Sequence, residues 1–275
     1  MPLIGELWES YTQFKRPFLA KNSLRDFRRV RNHIANLPTQ KLSDARKIRD
    51  SLYARLTPDA AYRCLQQIRA CCNWAVGEEK ILVNPFSRLT IPVPPKDKNI
   101  NPFSKSEKDL IIQAFEKHPD HSRYTNLVKF YFLTGCRSNE AAELQWKHID
   151  PELTAIAFLK TKKRQTRKFP INQQLKEVLL VMQAQKPGPE DFVFKSPEGM
   201  KLDCHNFLNR VWRDILAELP QITYRPQYNT RHTFITLCLE SDVPVQQVAE
   251  WVGNSPRTIW GNYAGIINRA PVPIL

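Results

Sequence analysis

The sequence predicts a mainly α-helical protein of two domains, with a small antiparallel β-sheet in the C-terminal one. Three observations lead there. Apolar residues recur at helical spacing over most of the chain. A proline-rich polar stretch, residues 91–102, interrupts that pattern. Two short alternating runs, residues 154–160 and 167–171, flank a basic turn. A length of 275 residues admits one large domain or two modest ones, and 42% apolar residues can build their cores.

The first domain is read as residues 1–90, all helical. Leu3, Leu7, Trp8, Tyr11 and Phe14 keep a helical period, as do Leu65, Ile68, Cys72 and Ala75. Between them the run Arg-Asp-Phe-Arg-Arg-Val-Arg at 25–31 reads as an amphipathic helix whose basic face carries Arg25, Arg28 and Arg29. Residues 1–95 hold 16 basic against 8 acidic side chains. Membrane-surface helices share that pattern, but here the apolar faces are needed for packing against one another.

Residues 91–102 contain four prolines, which deny helix and favour extended backbone, so they read as a linker. Ser104 and Glu107 then have capping-box spacing ahead of Leu110, Ile111, Ala114 and Phe115, and a second domain, 103–275, begins. Its two alternating runs read as paired strands, and Phe192-Val-Phe194 as a short third strand. Helices are expected again over 202–219, 230–240 and 244–252, the last closing on Gly253.

Charge narrows the partner. With 41 Lys+Arg against 27 Asp+Glu the formal net charge is +14, a self-repulsion that a polyanion relieves. No apolar run approaches the roughly 20 residues of a membrane span, and no signal-peptide core precedes the first helix, so a cytoplasmic, nucleic-acid-facing protein fits better than a membrane-bound one. The six cysteines form no C-x-x-C pair and no zinc-like spacing with histidine. They read as small, reduced side chains, with no metal site.

Four segments could carry chemistry. In Leu133-Thr-Gly-Cys-Arg137-Ser-Asn-Glu140, Gly135 lets one helix end and places Arg137 at the start of the next, with Glu140 one turn on. That is either a surface ion pair or a guanidinium fork held toward a phosphate. The turn between the strands, with Lys160, Lys162, Lys163, Arg164, Arg167 and Lys168, is either a solvated loop or a hairpin tip reaching DNA with a lysine for a leaving oxygen. Tyr228-Asn-Thr-Arg231-His232-Thr-Phe234 opens a helix whose stripe of Phe234, Leu237 and Cys238 faces a core. Arg231 and His232 lie in its first turn, where a phosphate is favoured, although an isolated Arg-His pair is ordinarily structural. Last, Val252-Gly-Asn254-Ser is followed nine residues after Asn254 by Tyr263. Alone, such a tyrosine is packing.

Together and in this order, T-G-x-R-x-x-E, a basic hairpin, x-x-R-H-T-F and V-G-N-S followed by a tyrosine resemble the tyrosine recombinase (phage integrase) family over residues 103–265. The helical first segment is similar only in size and character to that family's core-binding domain. The resemblance implies a two-domain, C-shaped clamp on duplex DNA and a site-specific recombinase. Arg137 and Arg231 would bracket the scissile phosphate, Glu140 would orient Arg137, and Lys162 would protonate the leaving 5′ oxygen, with Lys160 or Lys163 as alternatives. Tyr263 would attack and form a 3′-phosphotyrosine. Because that link conserves the phosphodiester's energy, neither ATP nor a metal cofactor is implied. The resemblance also implies a homo-tetramer on paired sites, with the apolar segment 266–275 docked on a neighbouring protomer or else on its own domain.

Two positions depart from the family pattern. Tyr228 stands where a histidine is usual before x-x-Arg, and Asn254 where a histidine or tryptophan is usual. Both can hydrogen-bond, but a phenol, with its ordinary pKa near 10, is a poor proton acceptor near neutrality. His232 reads as a packing or supporting residue, since its side chain leaves the helix about 100° from Arg231. A DNA-binding protein that kept the fold and lost the chemistry, and a type IB topoisomerase acting as a monomer, are the alternatives.

Overall fold

The computed structural model describes residues 2–94, 100–159, 166–185 and 187–265. The chain divides into two compact units, Met1–Asp97 and Lys98–Leu275.

Among the described residues of the first unit the named elements are all helices, the last ending at Gly77, with irregular chain beyond it. Helix α1 (Ile4–Lys15) buries Ile4, Leu7, Trp8 and Tyr11, one face at the helical period. Each such side chain contributes about 1.5–3 kcal/mol relative to leaving it in water. Leu3 and Phe14, expected on that face, are 41% and 46% exposed, so the buried stripe begins one residue later and ends a turn earlier. Helix α2 (Lys21–Ala35) buries Phe27, Val30 and Ile34 and leaves Arg25, Arg28 and Arg29 exposed. Helix α3 (Ala45–Arg55) packs on α4 (Pro58–Gly77). The α4 N-terminus is set by Thr57, whose hydroxyl accepts the Ala60 amide, and by Pro58 in the first turn. Cys64, Cys71 and Cys72 are buried free thiols along its inner face.

In the second unit Ser104 and Glu107 form the capping box that starts α5 (Lys105–Lys117). Glu107 also takes a two-pronged pair from Arg225 at 2.9 and 3.0 Å. Helix α6 (Thr125–Thr134) is buried nearly all round and ends on Gly135, whose φ of 57° is left-handed. The short α7 (Ser138–Ala142) follows. Strands β1 (Ala155–Phe158) and β2 (Arg167–Pro170) pair antiparallel, from Ala155 opposite Pro170 to Phe158 opposite Arg167.

Two expectations need correction. Phe192-Val-Phe194 is no third strand: Phe192 makes an isolated bridge to Gln145, and Val193 and Phe194 are buried in the core. The free edge of β1 is approached instead by Ile149, bridged to Ile156, which leaves no ladder for a further strand. The helix expected over 202–219 is α9 (Cys204–Asn206) and α10 (Trp212–Ala217) joined by a π-helical segment, Phe207–Val211. The wider turn buries Phe207, Val211 and Trp212 together. Helix α8 (Gln173–Gln183) packs on α6.

The last three helices are α11 (Asn229–Glu240), α12 (Val245–Val252) and α13 (Pro256–Tyr263). They share a small core of Ile235, Leu239, Val248, Val252, Ile259 and Tyr263. The deeply buried positions of α11 include Thr230, Arg231, Thr233 and Ile235. The stripe of Phe234, Leu237 and Cys238 is only half-buried, because α11 packs on both α6 and α12.

Candidate nucleic-acid interface and phosphate site

Gly135 positions the first arginine. A Cβ there would lie 2.6 Å from Cδ1 of Phe234, so both its left-handed backbone and its close approach to α11 require glycine. The chain then turns and Arg137 caps α7 in extended conformation. Its amide donates to Glu140 Oε2 at 2.8 Å and its Nη1 to Oε1 at 3.1 Å, so Glu140 fixes both ends of the residue. The remaining fork nitrogen, Nη2, donates to the Gly253 carbonyl at 3.2 Å.

Arg231, in the first turn of α11, is 1% exposed. Its Nη1 donates to the Gly135 carbonyl at 2.8 Å and its Nη2 to the Val252 carbonyl at 2.6 Å. Burial, and then Arg137, work against its charge, which the two carbonyl dipoles support.

Arg167 corrects the sequence reading. Expected on the DNA-facing turn, it is 5% exposed, with its guanidinium carbon 4.1 Å from the Phe158 ring centre. Its Nη2 pairs with Glu140 at 2.7 Å, and its Nη1 donates to the Trp251 carbonyl. Strand alternation is the cause: Arg167 and Phe169 point inward while Lys168 and Pro170 are exposed. The apolar partner Phe169 was the signal in the sequence that position 167 faces the core. Burial works against the Glu140 charge, but Arg167 and the amide and guanidinium of Arg137 outweigh it, so the carboxyl titrates below its ordinary range.

Three successive carbonyls, of Trp251, Val252 and Gly253, thus accept from Arg167, Arg231 and Arg137. They belong to the end of α12, where carbonyls lack intrahelical partners and the helix dipole is negative. Gly253, left-handed at φ 63°, closes the helix, and the Asn254 amide returns to the Ala249 carbonyl at 2.9 Å. The side chain of Asn254 is half-buried, and no described residue hydrogen-bonds its amide group. A guanidinium has more N–H donors than these bonds engage, so Arg137, with its side chain 41% exposed, retains donors for an anion.

Tyr263 ends α13, which Ser255 starts by accepting the Thr258 amide. Ile259 and Tyr263, one turn apart, are buried on one face. The Tyr263 hydroxyl lies 2.6 Å from His232 Nδ1. Burial pushes the phenol pKa up, and Arg231 is near enough to pull it back in part. Burial, then Arg231, holds the His232 pKa below its ordinary value. Tyr228, half-exposed, sets its ring edge-on to His232 at 5.3 Å between centres.

The structure therefore gathers Arg137, Glu140, Arg231, His232, Tyr228 and Tyr263, with Asn254 beside Gly253. Lys160, Lys162, Lys163 and Arg164 lie outside the described residues, as does the segment 266–275.

Comparison with known proteins bears on the family and the fold. The phage integrase family model matches residues 102–266. A tyrosine recombinase XerC-like protein of Caldanaerobacter subterraneus subsp. tengcongensis is 27% identical over 231 residues, covering 69% of this chain and 58% of that protein. The chain thus spans under two thirds of that relative's length. The Tn1549 transposon integrase in complex with a circular intermediate DNA has the same fold, with a TM-score of 0.79 at 15% identity, over 98% of this chain and 96% of that one. So has lambda integrase, solved as a tetramer bound to a Holliday junction, with a TM-score of 0.75 at 14% identity over 93% and 78% of the two chains. The family match runs from the start of the second unit past the tyrosine and takes in each of the gathered residues, and on that span the chain belongs to the phage integrase family.

Proposed function

We propose that this chain is a site-specific recombinase that breaks and rejoins DNA through a 3′-phosphotyrosine at Tyr263. The observation that carries the reading is the convergence of Arg137, Arg231 and Tyr263, from α7, α11 and α13, around the end of α12. In this reading the two guanidiniums hold the non-bridging oxygens of one phosphate and neutralise the charge that grows there during attack. Glu140, itself held by Arg167, keeps Arg137 in place. Asn254 adds a donor to a phosphate oxygen, and Tyr228 another hydrogen bond. Lys162, between β1 and β2 in sequence, protonates the departing 5′ oxygen, with Lys160 or Lys163 as the alternative identity of that acid.

The same reading places duplex DNA against the exposed Arg25, Arg28 and Arg29 of α2 and the basic hairpin turn. These contacts position the protein without reading sequence, and each neutralised phosphate adds about −0.9 to the slope of log K against log[salt]. Four protomers hold two duplexes, with segment 266–275 docked on a neighbour. Assembly on DNA unchanged by deletion of 266–275 would remove that last element.

The test uses nicked duplexes with randomised cores. Species that resist denaturation in a gel are recovered and sequenced, which also yields a target site. The expected result is a covalent adduct lost in Tyr263→Phe and strongly slowed in Arg137→Ala and Arg231→Ala. Tight binding with no adduct over long incubation would instead identify a DNA-binding protein that kept the fold and lost the chemistry. Relaxation of plasmids lacking any selected site would favour a topoisomerase.

A further inference from the structure

Resting on that reading, we propose that His232 is the proton acceptor for the Tyr263 hydroxyl, filling the role left open where Tyr228 replaces the histidine expected three residues before Arg231. The geometry is direct: His232 Nδ1 and the Tyr263 hydroxyl are 2.6 Å apart, in a half-buried setting between α11 and α13. The spacing explains why. Position 232 lies about 100° around the helix from Arg231, but only about 40° from position 228, one turn away. Tyr228 continues α11 backward in helical conformation, with φ −55° and ψ −22°, so positions 228 and 232 are neighbours on one face. Their rings are in contact there.

The protonation states suit the task. In the proposed resting state the neutral imidazole carries its proton on Nε2 and accepts through Nδ1 from the phenol. Burial and Arg231 keep His232 neutral near pH 7. The other ionisable groups against it are Tyr228, on its own helix, and Tyr263 on α13. Among the described residues no charged side chain of α6 or α12, the helices packed on α11, contributes to its shift. Burial makes Tyr263 reluctant to ionise unaided, so an adjacent acceptor has work to do.

The step balances. The Tyr263 proton passes to His232 Nδ1 as the phenolic oxygen forms its bond to phosphorus. The phosphorus–5′ oxygen bond breaks, and that oxygen takes a proton from the separate acid of the hairpin turn. On rejoining, the 5′ hydroxyl gives its proton back to the hairpin-turn group as its oxygen bonds to phosphorus, the phosphorus–tyrosine bond breaks, and imidazolium returns the other proton to the phenolic oxygen. His232 touches the reacting atom and is by that measure a catalytic residue.

The decisive variant is His232→Asn, whose side-chain oxygen can stand where Nδ1 stands and accept the bond but cannot carry away a proton. Adduct formation on the selected nicked duplex is measured against pH, with affinity for intact duplex as the check on folding. Wild-type protein should show a rate that falls on the acid side as His232 becomes charged. His232→Asn and His232→Ala should be slower by about 10²-fold or more, should lack that acid limb, and should bind DNA as wild type does. Added imidazole should partly restore His232→Ala. A duplex with sulfur in place of the scissile 5′ oxygen, whose leaving group needs no acid, should rescue Lys162→Ala and leave His232→Asn slow. If His232→Asn reacts at the wild-type rate with the limb intact, or is rescued by the sulfur substrate, the assignment is wrong while the recombinase reading stands. If wild-type protein forms no adduct at any pH, both fail.

Discussion

The Arg231 guanidinium donates to the Val252 carbonyl at 2.6 Å, so an arginine from the first turn of α11 caps the last turn of α12. Its other arm reaches the Gly135 carbonyl, where α6 ends. One side chain therefore ties three helix ends together, and its planar fork is what allows two acceptors to be met at once. Arg231→Lys keeps the charge and loses the fork. It should leave one buried carbonyl unpaired, lowering stability by about 1–3 kcal/mol and slowing adduct formation by about 10²–10³-fold. Arg137→Lys, at a more exposed position, should cost less stability. Chemical denaturation of both variants decides it, and equal losses would contradict the tie.

Glu140 is the counter-charge for two arginines and is itself nearly buried, at 10% side-chain exposure against 4% for Arg167. Glu140→Gln strands the buried Arg167 and should cost about 3–5 kcal/mol. Adding Arg167→Met should recover part of that loss, because the stranded charge goes with it. A double-mutant cycle in urea measures the coupling, and simple additivity would refute the pairing.

Gly135→Ala should destabilise by more than the roughly 1–2 kcal/mol of a left-handed backbone alone, since the new methyl meets Phe234 as well. The Gly135 carbonyl is an acceptor for Arg231, so adduct formation should suffer more than DNA affinity. Combining the change with Phe234→Ala should relieve the contact and leave the backbone cost. If Gly135→Ala is harmless in both readouts, the close approach is not as described.

Stability should fall with acidification in two windows. The His232 pKa is held below its ordinary 6.5, by burial first and Arg231 second. The unfolded chain therefore takes up this proton before the folded one does. The neutral imidazole's contribution is complete above about 6.5 and is lost as pH falls through that value toward the folded pKa. His33 and His148, also lowered by burial first, act in the same window. Glu140 and Glu107 are held below the ordinary carboxyl value of 4.5, and their contribution is lost further down, as pH falls through their folded pKa values. Melting temperature against pH should show both declines, and His232→Asn should shrink the first. A flat profile from pH 7 to 5 would count against the burial of these imidazoles.

Much of this was legible in the sequence where local chemistry decides. Ser104 and Glu107 announce a helix start because their side chains complete each other's backbone bonds, and Gly135 and Gly253 mark helix ends because a left-handed residue is needed there. Other features depend on contacts between distant segments. Arg167 sits in a basic run and looks solvated, yet strand alternation turns it onto Glu140, 27 positions earlier. His232 looks misdirected when measured from Arg231, and only the packing of α13 on α11 sets it against Tyr263. Phe192-Val-Phe194 has strand composition, but the β1 edge is already engaged by Ile149, and composition does not reveal an occupied edge.

The arginine cradle is built on main-chain oxygen. Trp251, Val252 and Gly253 hold the three guanidiniums through main-chain carbonyls, which any amino acid would supply at 251 and 252, while 253 must also make the left-handed turn. Mutational drift in the side chains of that helix end can accordingly proceed without disturbing the grip, provided the backbone path survives. The cationic nest thus depends on the shape of that helix end more than on its lettering.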